Sequence, residues 1–274
     1  MQILTKEPRW KERVSGMDSP VEEINFPDVD GKEVSQDAEW CEVILKGEKR
    51  RFRCHDYNEI YKVPGLYEAL FYENLKCCSP TRVASLLKEV LADFREDAVR
   101  LRVLDLGAGN GMVGDELRAR DVNYIVGVDI IPEAEAAQRR DRPRIYDGYF
   151  VTDLTKSTPQ LQDLRKHRFN CLTSVSALGF GDIPPLAFVN ALRLLETPSW
   201  LAFTIKEDFL YEDDSSGFCR LIRQLNRHRI VQMQAYRRFR HRLSIRGEPL
   251  HYVAMVARKM KKLPESIAAE FGAG

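Results

Sequence analysis

Between Arg102 and Leu117 the chain reads RVLDLGAGNGMVGDEL. An apolar strand-like run enters a loop with glycines at 107, 109 and 111, and a helix-forming stretch follows at once. This junction constrains the fold more than any other feature of the sequence. Glycine permits positive φ and lets another group approach the backbone to contact distance. A strand that turns directly into a helix through such a loop belongs to an open α/β sheet, which binds ligands beyond the carboxyl ends of its strands.

The pattern after the junction agrees. Strand-like runs fall at 102–106, 124–129, 149–152, 170–176, 200–205, about 231–244 and 251–257. Helical periodicity fills the intervals at 112–120, 132–140, 159–166, 184–195 and 217–228. Between the last two strands only Arg246-Gly247-Glu248-Pro249 intervenes, so they pair as an antiparallel hairpin. The expected fold is α/β: a doubly wound, seven-stranded, mostly parallel sheet with a C-terminal antiparallel hairpin strand, preceded by an N-terminal cap module.

That cap begins with two short strands about Lys46-Gly47-Glu48. Pro64-Gly65 then opens a short helix carrying Leu66, Leu70, Phe71 and Leu75. Ser79-Pro80 reads as an N-cap followed by proline in the first turn. Val83, Leu86, Leu87, Val90, Leu91 and Phe94 continue it as an amphipathic helix. Four segments result: 1–38, an extended or partly ordered arm; 39–95, the hairpin and helical cap; 96–260, the ligand-binding α/β domain; and 261–274, a tail that is a surface helix or frayed.

Lys and Arg total 42 against 41 Asp and Glu, a balance that gives no general attraction to nucleic acid or anionic membranes. No apolar run approaches membrane-spanning length, and the charged N-terminus lacks a signal-peptide core. Six cysteines without a C-x-x-C pair, and histidines without zinc-ligand spacing, point to reduced thiols and no metal. A cytoplasmic protein is expected.

The glycine spacing is G-x-G-x-G, not the G-x-G-x-x-G of a dinucleotide site, and no Gly-Lys-Ser/Thr phosphate loop exists. Instead Asp105 precedes the glycines, and a carboxylate there suits an ammonium group better than a pyrophosphate. Asp129 closes the second strand 22 residues after Gly107, and Asp153 closes the third 24 residues further on. Each interval is one βα unit, so the three acids gather at one sheet edge. A carboxylate ending the second strand can accept both ribose hydroxyls; one ending the third can accept an adenine amino group.

VLDLGAGNG, GVDI and VTDL resemble motifs I, post-I and II of the class I S-adenosylmethionine-dependent methyltransferases. The resemblance covers about 56–258. It implies S-adenosyl-L-methionine as cofactor, with S-adenosyl-L-homocysteine as product. It implies that Asp105 and the backbone of Gly107, Ala108, Gly109, Asn110 and Gly111 hold the methionine moiety. Asp129 would hold the ribose, Ile130 would pack on adenine, and Asp153 with Leu154 would read the adenine edge. The backbone from Ser174 to Ser176 would meet the amino-acid end. HDYNEIYKVPGLYEAL resembles a tyrosine-rich cap closing over cofactor and substrate, which makes Tyr57 and Tyr61 lid candidates.

Methyl transfer from a sulfonium is an in-line displacement served by orientation and exclusion of water. Asp182, Glu207, His55 and His241 are possible bases, and none is assigned. The expected acceptor is a small molecule. Arg237–Arg246, with arginines at 237, 238, 240, 242 and 246, is the one basic cluster and the support for an RNA or protein acceptor; a solvated arginine face reads the same way. A methyltransferase-like binding protein without turnover is the non-enzymatic alternative.

Overall fold

The computed structural model describes residues 19–28, 34–179, 182–211 and 214–272. The remainder of the expected arm, 1–18 and 29–33, lies outside the described residues. Two sheets organise the chain. In the small one, β1 (Val21–Asn25), β2 (Trp40–Leu45) and β3 (Glu48–Arg53) run antiparallel in that order. Lys46 and Gly47 both take positive φ at the β2–β3 turn, as a tight hairpin requires. Cys41, Val43 and Leu45 alternate inward along β2 and are buried with Phe52 and Cys54. Inside the segment expected as an extended arm, β1 is a paired strand; its sequence VEEIN lacks alternation, so only pairing to β2 identifies it.

The large sheet holds seven strands in the order β6-β5-β4-β7-β8-β10-β9. They are β4 (Arg102–Leu106), β5 (Tyr124–Asp129), β6 (Gly148–Val151), β7 (Phe169–Ser174), β8 (Leu195–Lys206), β9 (Val231–Leu243) and β10 (Pro249–Lys259). β6, β5, β4, β7 and β8 are parallel, and β10 is antiparallel to both β8 and β9. Helices cover both faces. Leu86, Leu87, Val90 and Leu91 of the Ser79–Asp93 helix and Val113 and Leu117 of the Met112–Arg118 helix bury one face. The other is covered by Leu164 of Pro159–Lys166, Phe188 and Leu192 of Pro185–Leu194, Leu221 and Leu225 of Phe218–Arg227, and Ile267 of Glu265–Gly272.

Two local features depart from the sequence pattern. Glu68–Asn74 is π-helical rather than α-helical, and Leu75 N–H donates to Leu70 O at 3.0 Å. The wider turn buries Glu68 beside Leu70, Phe71 and Tyr72. Ser79 is not an N-cap: it is the first helical residue, with Cys78 before it. Its hydroxyl lies 2.6 Å from His241 Nδ1 instead. No helix among the described residues is long and apolar enough to cross a membrane.

Candidate functional site

The parallel order of β4, β5 and β6 brings Asp105, Asp129 and Asp153 to one sheet edge, and the loop 107–111 turns there. Gly107, Gly109 and Gly111 have φ of +72°, +52° and +93°. The loop is tied to β5, because Gly107 N–H and Ala108 N–H both donate to Val128 O, at 2.9 and 3.1 Å. The glycines are also needed for close packing. A Cβ on Gly107 would sit 2.8 Å from Ala177 Cβ, and one on Gly109 would sit 2.5 Å from the Tyr61 hydroxyl.

Two adjoining compartments open above this edge. The first encloses about 880 Å³ with its mouth included and is bordered by Gly107, Asp129, Ile130, Asp153, Leu154 and Ser176, under Tyr57, Tyr61 and Tyr67. The second, about 720 Å³, is bordered by Ala108, Gly109 and Asn110 of the loop and, opposite, by His55, His241 and Tyr252. Tyr57, Tyr61, Tyr67, Ser176 and Asp182 border both. Asp105, Gly111 and Ser174 border neither.

Asp129 ends β5 with Oδ2 accepting from Gly109 N–H at 2.8 Å and Oδ1 from Ile131 N–H at 3.0 Å. Burial pushes its carboxyl above the usual range. Ile130 beside it is 57% exposed, a large apolar side chain presented to the first compartment. Asp153 Oδ1 accepts from the amide and hydroxyl of Thr155, at 2.9 and 2.6 Å, and Oδ2 faces Lys156 Nζ at 3.1 Å. The Thr155 hydroxyl holds its carboxyl below the usual range.

Asp105 is placed differently from an ammonium ligand. It is fully buried beneath the loop, where Oδ1 accepts from the Thr173 hydroxyl and Oδ2 from the Tyr146 hydroxyl, both at 2.7 Å. Burial pushes it up to about 6. Asn110 does not border the first compartment: its Nδ2 donates to Glu68 Oε1 at 2.8 Å. Glu68 pairs with Arg142 at 2.7 Å with both side chains fully buried, so the π-helical turn of the cap grips the glycine loop from below. Gly111 packs against the stem of Arg142, 3.3 Å from where its Cβ would be.

Ser174 ends β7 with its hydroxyl buried and without a hydrogen-bond partner. Ser176 has φ of +58°, the left-handed region, and its N–H donates to Thr204 Oγ1 at 2.7 Å. This turn ends β7 two residues before the expected position. Tyr57 and Tyr61 lie 6.2 Å apart, and Tyr61 lies 5.1 Å from Tyr67.

Of the possible bases, Glu207 is committed to Arg238 at 2.8 Å. His241 is buried and held well below its ordinary value by desolvation and by Arg242, so it is neutral. His55 Nδ1 lies 3.5 Å from Asp182 Oδ2. The basic cluster is largely neutralised: Arg237 pairs with Glu89 at 2.9 Å, and Arg242 forms a buried pair with Glu39 at 2.5 Å, joining β9 to the cap. Sequence reasoning missed Tyr67, Glu68, Arg142, Tyr146, Tyr149 and Thr173. Tyr149 donates to Gly109 O at 2.8 Å. Apart from Tyr67, which packs on nearby Tyr61 and Phe71, none of these has a local signature, since each acts on a residue about 30 or more positions away.

No family model matches the sequence. No curated protein matches it either. Solved structures resemble it at low identity. One is magnesium protoporphyrin IX methyltransferase from Synechocystis with S-adenosylmethionine bound, at 16% identity and a TM-score of 0.44 over 66% of this chain and 79% of that one. Another is the N-methyltransferase NodS from Bradyrhizobium japonicum with S-adenosyl-L-homocysteine, at 14% and 0.44 over 66% and 86%. A third is ribosomal protein L11 methylase from Lactobacillus delbrueckii, at 15% and 0.43 over 66% and 78%. The fold assignment rests on the strand order rather than on these likenesses. Five parallel strands, a glycine turn after the third strand in the order, and a terminal antiparallel pair form the doubly wound, mostly parallel α/β sheet expected from the sequence, and S-adenosylmethionine-dependent methyltransferases are among the solved structures the chain is similar to.

Proposed function

We propose that the chain is an S-adenosylmethionine-dependent methyltransferase acting on a small-molecule acceptor. Residues 96–260 would hold the cofactor, and 39–95 would close over it. The observation that carries the reading is Asp129: a carboxylate at the strand end, oriented by two backbone amides, bordering the first compartment beside an exposed isoleucine. Each oxygen uses one lone pair on the backbone and keeps capacity for a ribose hydroxyl.

Ile130 would pack on the base, with Asp153 and Leu154 at its edge. The backbone of Gly107–Gly109 and of Val175–Ser176 would border the amino-acid part. Asp105, Asn110, Gly111 and Ser174 would act from beneath, Asp105 by fixing Thr173 and Tyr146 and Asn110 by anchoring the loop to Glu68. When bound, the cofactor supplies an electrophilic methyl group on a positively charged sulfur. The chain's own part is to orient the acceptor and exclude water with the tyrosine cap, which supplies much of the rate. The paired arginines favour a small acceptor over RNA or protein.

Calorimetric titration tests the reading. S-adenosyl-L-homocysteine is expected to bind and NAD not to bind. Binding of NAD alone would refute the assignment.

A further inference from the structure

Two cavities meet at one side chain. A groove beside the β9–β10 turn is bordered by Ser35, Gln36, Lys206, Ser244, Arg246 and Leu250, among others. Among the described residues, Gln36 alone borders both this groove and the second compartment, and it does not border the first. It is the one buried residue of the turn Gln36–Ala38, with Ser35, Asp37 and Ala38 exposed around it. Its Nε2 donates to the Tyr252 hydroxyl at 2.9 Å, and its Oε1 is buried without a partner. The neighbouring part of the same wall is held more firmly. Glu39, which borders the groove, pairs at 2.5 Å with Arg242, which borders the compartment, and accepts from Ile245 N–H at 2.9 Å. The wall therefore has a fixed post and, beside it, one loosely held member.

We propose that Gln36 is a gate through which the acceptor reaches the second compartment from this groove without passing the cofactor. What passes through the gate rests on the methyltransferase reading above; the gate itself rests on the wall just described. Tyr57, Tyr61, Tyr67, Ser176 and Asp182 border both compartments, so a cofactor in the first stands across the way in from that side. Opening at Gln36 breaks one neutral hydrogen bond. It also brings a buried carbonyl oxygen into water, where it gains the bond it lacks, and the two changes largely offset each other. Breaking the Glu39–Arg242 pair would instead strand a buried charge, so the wall yields at Gln36. Acceptor and methylated product then exchange by one opening, and the cofactor by the other.

The test follows Cys77, which borders the second compartment. In a Cys78→Ser background, methyl methanethiosulfonate modifies the protein and mass spectrometry locates the adduct, with and without saturating S-adenosyl-L-homocysteine. Gln36→Ala is expected to speed modification of Cys77 about tenfold or more, and Tyr252→Phe about three- to tenfold, the factor held back by one neutral hydrogen bond. Both accelerations are expected to persist with S-adenosyl-L-homocysteine bound. Leu250→Trp, which narrows the groove, is expected to slow modification in the Gln36→Ala protein. Cys171, fully buried in the large sheet, reports unfolding and is expected to stay unmodified. An unchanged Cys77 rate in Gln36→Ala overturns the proposal. So does an acceleration that S-adenosyl-L-homocysteine abolishes, that Cys171 shares, or that Leu250→Trp leaves intact. If Gln36→Ala does not fold, an unchanged rate in Tyr252→Phe overturns it. Failure of the wild-type protein to bind S-adenosyl-L-homocysteine refutes the methyltransferase reading, and the labelling rates still decide the gate.

Discussion

The backbone N–H of Gly109 donates to Asp129 Oδ2 at 2.8 Å, so the glycine loop and the end of the neighbouring strand are held as one unit. The same carboxylate takes Ile131 N–H on its other oxygen. A ligand that engages Asp129 therefore meets a group whose position is already fixed.

Asp129→Ala removes the carboxylate and both backbone bonds. Two hydrogen bonds to a charged acceptor are worth about 1.5–3 kcal/mol each, so S-adenosyl-L-homocysteine affinity is expected to fall roughly 100-fold or more. The fold is expected to survive, because Asp129 stands at the strand end and is only half-buried. Calorimetry with a parallel circular dichroism melt reads both; undiminished affinity would remove the ribose role.

Gly109→Ala tests the contact between cap and loop. The new methyl group meets the Tyr61 hydroxyl, and left-handed backbone costs a non-glycine residue about 1–2 kcal/mol. Adding Tyr61→Phe removes the clashing oxygen and is expected to restore the steric part of the loss, leaving the backbone part. Urea denaturation of the single and double variants measures this, and equal stability of the two would show that Tyr61 does not press on the loop.

Asp105 gives stability a pH dependence of defined sign. Its folded value is about 6, against 3.8 for the ordinary carboxyl. Between about pH 4 and 6 the folded state binds more protons than the unfolded chain, so this contribution falls as pH rises and is flat above about 6. The full change is about 3 kcal/mol. Asp105→Asn is expected to abolish that slope in urea titrations at about pH 4 and about pH 7; the same slope in the variant would locate it elsewhere.

Glu68→Gln removes the nearer of two counter-charges from the buried Arg142 guanidinium and leaves only Asp115, at 3.9 Å. Removing one partner of such a pair costs about 3–5 kcal/mol. Replacing both with apolar groups, Glu68→Leu with Arg142→Met, is expected to cost less than the single change. Denaturant midpoints decide it, and additive losses would mean the two residues act independently.

The local chemistry made much of the fold legible. Proline in the first turn marks the helices at Pro132 and Pro159, and β4 and β5 begin and end where the sequence alone sets them. β8 begins five residues before the expected Trp200, because Pro198 and an irregular stretch interrupt its pairing with β7. The candidate site was half legible. Asp129, Ile130, Asp153 and Leu154 border the first compartment as their strand-end positions require. Asp105 and Asn110 have the same local credentials and point elsewhere, because Thr173, Tyr146 and Glu68 claim them.

Taken by itself, the sequence determined the order of strands and helices and which residues stand at the strand ends. Those follow from hydrophobic period and from glycine and proline, which act within a few residues. Only the tertiary structure decided where each side chain at the strand ends points, how the tyrosine cap divides the cavity, and that His55 meets Asp182. Partners for a buried carboxylate or imidazole come from segments distant in the chain, and burial without a partner is costly, so packing chooses them.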